Sequence, residues 1–285
     1  MIFFYGLSRL PFFLLYFISD LLYWIVYKSF GYRVKVVRQN LKNSFPHKTS
    51  KELKSIEKKF YSHLFDVIVE TIKLLTISEK DLKKRVSHEN PEILTAITEA
   101  GGSFVSMAPH LGNWEWILAA NKVYLNCEVD AVYKTLNNRF FDRLMLKIRS
   151  RFGTFPVPSN QVLRLESARK KIARAIAMVS DQTPATEGSY ATLFLNQPTL
   201  FFRGPQKISQ MFGYPVFYAG IKKLGRGRYH LFVEHIASEP FPADDFIIES
   251  FARKLESQIE EDPSIWLWSH KRWKHKVPEN LLKVV

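Results

Sequence analysis

The sequence predicts an α/β fold in which a largely parallel or mixed sheet is flanked by helices. From about residue 85 onward, short apolar runs alternate with amphipathic stretches, which is typical of strands joined by helical crossovers. The 285 residues suit one sizeable domain, and 46% of them are hydrophobic, which is ample for a buried core. An apolar segment near the amino terminus predicts an additional helix that anchors the protein to a membrane.

The elements follow from the spacing of apolar residues along the chain. Strands are predicted over residues 103–108, 127–133, 173–180, 214–223 and 229–236, with a turn at 225–227 joining the last two. Helices are predicted over residues 51–75, 113–125, 138–152, 204–213 and 244–259. These strands alternate with helices, so most neighbouring strands are expected to run parallel.

The amino-terminal segment "LPFFLLYFISDLLYWIVY" (residues 10–27) contains a single charge, Asp20. Eighteen helical residues span roughly 27 Å, close to the hydrocarbon thickness of about 30 Å. An aspartate in mid-membrane costs about 2.5–3.5 kcal/mol, so a helix lying in the interface stays open beside a spanning one. We therefore divide the chain into an anchor helix at residues 1–30 and a main domain at residues 31–285.

A basic flank follows the anchor segment. It holds seven cations with no acidic residue between them: Lys28, Arg33, Lys35, Arg38, Lys42, Lys48 and Lys51. By the positive-inside rule this flank stays in the cytoplasm, which predicts a catalytic domain on the cytoplasmic face of the inner membrane. The whole chain carries a formal charge of +14, which would attract nucleic acid, an anionic membrane or an acidic carrier protein alike.

The motif "SMAPHLGNWEW" (residues 106–116) carries the best candidate for chemistry. A buried strand ends near Ala108, and His110 and Glu115 fall in the turn and the first helical residues that follow. Ligands of open α/β sheets bind where strands end and helices begin. An imidazole there can accept a proton from an alcohol, and a neighbouring carboxylate can fix its tautomer. A packed histidine beside a helix-capping acid is the alternative reading of the motif by itself.

The segment "HLGNWE" resembles the H-x4-[DE] signature of the glycerolipid acyltransferase superfamily, and specifically the bacterial lipid A late (lauroyl/myristoyl) acyltransferases. Further segments are similar to blocks of that family in the expected order: residues 32–46, 133–158, 181–220 and 266–276. Because these segments extend over nearly the whole chain, the combination is far more specific than the motif alone.

The resemblance implies an acyltransferase of lipid A and lipopolysaccharide biosynthesis. In it His110 is the general base and Glu115 its partner, and the acyl donor is a thioester on acyl carrier protein, or acyl-CoA. Arg149 and Arg151 match arginines assigned to phosphate on the acceptor or on the carrier's prosthetic arm. Asp181 matches an acidic position that lines the same pocket. Asn113 and Gln182, beside these positions, are also assigned to substrate binding.

The implied partners are acyl carrier protein, an anionic lipid acceptor and the membrane, with no cofactor, no metal and no nucleic acid. Another lipid, such as a lysophospholipid, an aminolipid or a mannoside, stays open as the acceptor. A membrane-tethered nucleic-acid-binding protein is the alternative outside enzymes. Trp266, Trp268 and Trp273 lie among cations in the closing segment, which suits lipid headgroups or, less readily, stacking on RNA bases.

Overall fold

The computed structural model describes residues 1–242 and 244–278. Residues 279–285, the end of the predicted main domain, therefore lie outside the described residues. The strands are β1 (Val86–His88), β2 (Phe104–Ala108), β3 (Glu128–Tyr133), β4 (Phe155–Pro158), β5 (Arg174–Val179), β6 (Tyr190–Phe194), β7 (Gln197–Phe201), β8 (Val216–Gly225) and β9 (Arg228–Ala237).

Seven of these strands form one mixed sheet in the order β1-β9-β8-β2-β5-β3-β4. All neighbours in it run parallel except β8 and β9, which form an antiparallel hairpin. The strands β6 and β7 make a separate antiparallel pair. The predicted α/β fold with a largely parallel sheet is therefore confirmed.

The helices flank this sheet. They are α1 (Ile2–Arg9), α2 (Phe12–Leu22), α3 (Val34–Ser44), α4 (Ser50–Lys73), α5 (Glu79–Arg85), α6 (Glu92–Glu99), α7 (Trp114–Leu125), α8 (Arg139–Arg149), α9 (Val162–Arg169), α10 (Gly204–Phe212) and α11 (Phe246–Glu261). The predicted helices correspond to α4, α7, α8, α10 and α11, and the five predicted strands to β2, β3, β5, β8 and β9. The helix α3 and the short elements β1, β4, α5, α6, α9 and the β6–β7 pair were not predicted. Apart from α3, each of these has eight residues or fewer, too few to show a clear period.

The predicted anchor segment is one long helix preceded by a short one. Pro11 lies between α1 and α2; proline lacks an amide hydrogen and disfavours a helical residue before it, so α1 stops there. The helix continues from α2 through a π-helical stretch, Tyr23–Ser29. The stretch Phe12–Ser29 is long and apolar enough to cross a membrane by length and composition, and 17% of it is buried against the protein.

The centre of the sheet positions the turn after β2. Every residue of β2 is buried between β5 and β8, which explains why this strand reads as a continuous apolar run. Ala108, at the end of β2, is paired with Val179, at the end of β5. Parallel strands in this register deliver the residues that follow them to the same point at the edge of the sheet.

A fully buried charge cluster supports the other end of β5. The Arg174 side chain pairs with Asp130 of β3 at 3.0 Å and also with Glu166 of α9, and all three side chains are 0% exposed. Arg169 also bonds to Asp130, at 2.9 Å. Glu166 therefore depends on Arg174 more than Asp130 does.

We expect Arg174→Leu to lower the free energy of unfolding by about 3–5 kcal/mol, because it leaves the buried carboxylate of Glu166 without its cation. Urea unfolding measures this change. Arg164→Leu, at an exposed position of the same helix α9 as Glu166, is the matched control and should change stability little. Equal effects of the two substitutions would contradict the prediction.

Candidate functional site

The turn between β2 and α7 has a fixed shape. Gly112 has a φ of +59°, and a Cβ atom at this position would lie 2.8 Å from Ile221, so only glycine fits without strain. Asn113 caps α7, since its side-chain oxygen accepts a hydrogen bond from the amide of Trp116 at 3.0 Å. The turn therefore presents His110 just before a helix N-terminus, as the sequence predicted.

His110 makes a short contact with Asp181, which follows the neighbouring strand β5. The imidazole Nδ1 donates to Asp181 Oδ1 at 2.6 Å, and the backbone amide of His110 donates to Oδ2 at 2.9 Å. Both residues lie two positions beyond the paired strand ends, so the register of the sheet brings them together. With the proton on Nδ1, the Nε2 lone pair is left to act as a base.

Asp181 is 2% exposed and has a third donor in the indole of Trp266, whose Nε1 lies 2.8 Å from Oδ2. Burial by itself would raise the pKa of the Asp181 carboxyl, but the neighbouring His110 and the hydrogen bonds from His110 and Trp266 hold this pKa below its usual value. Asp181 is thus kept as a carboxylate, which is the form that orients an imidazole.

His110 lines a cavity of about 420 Å³, and its Nε2 is the ring nitrogen left free of Asp181. The side-chain amide of Gln182 approaches this nitrogen at 3.1 Å, and the Trp114 ring meets the imidazole edge-on at 5.2 Å between centroids. Residues 134–137, from the loop after β3, also line this cavity. The cavity therefore offers the basic nitrogen to a ligand.

Glu115 lines the same cavity but pairs with Arg149 instead of His110. Arg149 Nε and Nη2 donate to the two carboxylate oxygens at 2.9 and 2.6 Å. The expected contact between Glu115 and His110 is corrected by this geometry: Asp181 lies against Nδ1, and Glu115 holds the guanidinium of α8. The reason is that α7 turns Glu115 toward α8, whereas the strand register brings Asp181 to the histidine.

Two other residues assigned to substrate binding lie elsewhere. Asn113 is 0% exposed, and its side-chain nitrogen donates to Glu70 at 2.8 Å, so both ends of its amide are engaged inside the protein. Arg151 is exposed, with its guanidinium 4.6 Å from the Phe152 ring, and it does not line the cavity. Arg149 and Gln182 do line it, as expected.

Two tryptophans of the closing segment pack inside the protein beside the site. Trp266 and Trp268 are 3% and 0% exposed, which corrects the headgroup role expected of them and leaves their rings unavailable to RNA bases. Leu111 forms an isolated bridge with Trp266, and the Leu267 amide donates to the His110 carbonyl at 3.1 Å. The segment therefore holds the turn between β2 and α7 through these backbone contacts.

Helix α4 supports the turn from beneath with His63, which the sequence analysis missed. Burial lowers the pKa of the His63 imidazole to about 3, so the ring is neutral at physiological pH. Its Nε2 donates to the Gly112 carbonyl at 3.2 Å, and its Nδ1 accepts from Lys223 at 3.1 Å. The sequence held one indication of this role: His63 is a polar residue on the apolar face of the predicted amphipathic helix.

Comparison with protein families identifies one family over nearly the whole chain. The model of the family described as bacterial lipid A biosynthesis acyltransferase matches residues 1–275. The chain therefore belongs to this family, as the resemblance predicted: it is an acyltransferase of lipid A biosynthesis, and its acceptor is a lipid.

Comparison with solved structures finds the crystal structure of the 1-acyl-sn-glycerophosphate (LPA) acyltransferase PlsC from Thermotoga maritima. The match has a TM-score of 0.40 and 13% identity and covers 92% of this chain and 97% of that one. Comparison with curated proteins gives no match.

We expect Asp181→Asn to lower kcat by about 10³–10⁴-fold, because an amide no longer selects the tautomer with the proton on Nδ1. Glu115→Gln should cost much less, since the amide oxygen can still accept one hydrogen bond from Arg149. Initial rates of acyl transfer by the two folded variants measure the difference. A larger loss in Glu115→Gln than in Asp181→Asn would assign the histidine's partner to Glu115 after all.

Proposed function

We propose that this protein transfers an acyl chain from acyl carrier protein to a hydroxyl group of a lipid A precursor, with His110 as the general base. The observation that carries this proposal is the orientation of His110: a buried carboxylate holds Nδ1, while Nε2 contacts Gln182, which lines the same cavity as His110. Membership of the lipid A family supports the lipid acceptor.

The reaction needs one proton acceptor and no covalent acyl-enzyme. His110 Nε2 takes the proton of the acceptor hydroxyl as its oxygen attacks the carbonyl carbon of the thioester. The carbon–sulfur bond then breaks, and the imidazolium returns the proton to the leaving thiolate. Asp181 stabilises the imidazolium between these two steps. Gln182 must release Nε2 when the hydroxyl binds, because it occupies the same lone pair.

Arg149 is the group proposed to bind acceptor phosphate. Its guanidinium lies on the cavity wall, and Glu115 fixes its position through two hydrogen bonds. Burial by itself would lower the pKa of Arg149, but the Glu115 carboxylate raises it, so the cation persists inside the cavity. A preformed, oriented guanidinium suits the fork geometry of phosphate. Glu115 therefore acts through Arg149 and not through His110.

His110→Ala should lower turnover by at least about 10²–10⁴-fold, because the acceptor hydroxyl would have to lose its proton to water. Cys127→Ser is the matched control and should keep its activity, since no thioester on the enzyme takes part. Acyl transfer to a radiolabelled lipid A precursor measures both. Near-normal transfer by folded His110→Ala, or an acyl group trapped on Cys127, would overturn the mechanism.

A basic stripe on α8 supports acyl carrier protein as the donor. Arg139, Arg143 and Lys147 are exposed at intervals of four residues, so they follow one face of the helix. Among the ion pairs formed within residues 1–242 and 244–278, none involves these three side chains. Residues 134–137, which line the cavity, lead directly into this helix. An acidic carrier docked here would have its prosthetic arm beside the cavity.

The double charge reversal Arg139→Glu/Arg143→Glu should raise KM for the acyl carrier protein thioester by at least about tenfold, because like charges then meet across the docking surface. KM for an acyl-pantetheine thioester should not change. Lys58→Glu/Lys59→Glu, an equal charge change on the exposed side of α4, is the control. An unchanged KM for the carrier thioester in the α8 variant would show that these basic residues do not bind the acyl carrier protein.

The anchor helix is proposed to lie in the membrane interface instead of spanning the bilayer. The face of the helix that packs on the protein forms a hydrogen bond with α4 and an ion pair with the β8–β9 turn. Ser19 donates to Asp66 at 2.7 Å, and Asp20 pairs with Arg226 at 2.6 Å. A spanning helix would lose these bonds inside hydrocarbon. The opposite side is apolar and open, with Phe13, Phe17 and Trp24 exposed to 71%, 68% and 62%.

Cysteine labelling distinguishes a helix that lies in the membrane interface from one that spans the bilayer. In a Cys127→Ser background, Arg9→Cys and Ser29→Cys flank the helix at exposed positions. An interfacial helix places both on the cytoplasmic face, so an impermeant maleimide should label both in inverted inner-membrane vesicles and neither in intact spheroplasts. Labelling of one site in each preparation would show that the helix spans the membrane.

A further inference from the structure

The carboxylate of Glu70 in α4 joins three parts of the protein. Tyr16 of the anchor helix donates to Oε1 at 3.0 Å, whereas Tyr229 of β9 and the Asn113 amide each donate to Oε2 at 2.8 Å. The backbone carbonyl of Glu70 also accepts the indole hydrogen of Trp116 at 2.9 Å. Glu70 is 0% exposed, and it lies outside the cavity, so it cannot touch a substrate there.

The Asn113 contact determines what Glu70 can do for catalysis. Asn113 caps α7 with its oxygen, so its nitrogen must point to Glu70, and the two bonds together fix the residue between Gly112 and α7. His110 lies three residues earlier in the same turn. A loss of either bond would let the turn shift relative to Asp181, and a displacement of about 1 Å at a reacting group can cost on the order of 10²-fold in rate.

The geometry points to Glu70 as a positioning residue. Through it, the packing of the anchor helix against α4 determines the position of the turn that carries His110. The chain of contacts runs from the Tyr16 hydroxyl to the Glu70 carboxylate, and from there to the Asn113 amide at the start of α7. A protein whose anchor helix is displaced loses one donor to this carboxylate. Catalysis then depends on the docking of the membrane helix as well as on the groups inside the cavity. This inference rests on the proposed role of His110.

The burial of Glu70 makes its hydrogen bonds costly to break. Burial raises the pKa of its carboxyl to about 7, and the three side-chain donors only partly offset this effect. A buried oxygen that loses its donor pays the full desolvation cost of that atom. Losing Tyr16 therefore leaves Oε1 without the side-chain donor that it has in this structure, whereas Oε2 is shared by two donors.

The chain offers a matched control for the anchor contact. Tyr27, in the π-helical stretch after α2, donates to the buried carboxylate of Glu57 in α4 at 2.8 Å. This bond also ties the amino-terminal helices to α4, but Glu57 is paired with Arg38 and Lys54 and has no contact with the catalytic turn. Tyr27→Phe therefore removes the same kind of bond without reaching Asn113.

The test compares kcat and KM for the full-length protein in phospholipid vesicles. Tyr16→Phe should lower kcat by about twofold to tenfold, the effect of one buried hydrogen bond, with KM for the acceptor unchanged. Glu70→Leu should lower kcat by at least about tenfold, and Glu70→Gln should restore most of it, because the amide oxygen still accepts from Asn113 and Tyr229. Tyr27→Phe should leave kcat and KM unchanged.

Each outcome decides a separate claim. Unchanged kcat in Tyr16→Phe, or an equal loss in Tyr27→Phe, would overturn the link between the anchor helix and the turn, even where Glu70→Leu fails to fold. His110→Ala in the same vesicles tests the proposed function independently. An active His110→Ala would remove the general base, whereas an inactive His110→Ala beside a fully active Tyr16→Phe would remove only the role of Glu70.

Discussion

The carboxylate of Asp181 is the group on which the site depends. It accepts three hydrogen bonds: two from His110, through the ring and the backbone, and one from the buried Trp266. These bonds join the end of β5, the turn after β2 and the carboxyl-terminal segment at one point. Because Asp181 is buried, loss of the imidazole donor would leave Oδ1 without the hydrogen bond that it accepts from His110, whereas Oδ2 has two donors. The same contacts that satisfy this carboxylate also leave Nε2 as the ring nitrogen that could accept a proton in the proposed reaction.

Helix α4 contacts both the turn that carries His110 and the anchor helix at the protein surface. It supports the catalytic turn with His63 and Glu70, seven residues apart on one face of the helix, and it carries Asp66, which bonds to Ser19 of the anchor helix. The cavity and the apolar face of the anchor helix therefore share one rigid support. A lipid acceptor bound at the membrane surface would meet a site whose position relative to the bilayer is set by α4.

Much of this architecture could be predicted from the sequence, because β2 and β5 are short, mostly apolar runs and α4 carries apolar residues at helical spacing. The position of His110 between a buried strand and a capped helix was also predictable. Its partner was not: Glu115 is near in sequence, whereas Asp181 reaches His110 only through the parallel register of β2 and β5, which no local pattern encodes. The burial of Trp266 and Trp268 depends in the same way on long-range packing, which composition alone could not distinguish from a lipid-facing surface.

The tautomer of His110 tests the account most directly. Selective ¹⁵N labelling of histidine, with assignment by His110→Gln, reports which ring nitrogen carries the proton at about pH 8, where an imidazole is ordinarily neutral. The proposed mechanism requires a protonated Nδ1 and an unprotonated Nε2 in the wild-type protein, and a loss of this preference in Asp181→Asn. A proton on Nε2 of the wild-type histidine would contradict the account, because no lone pair would then be directed at the acceptor hydroxyl.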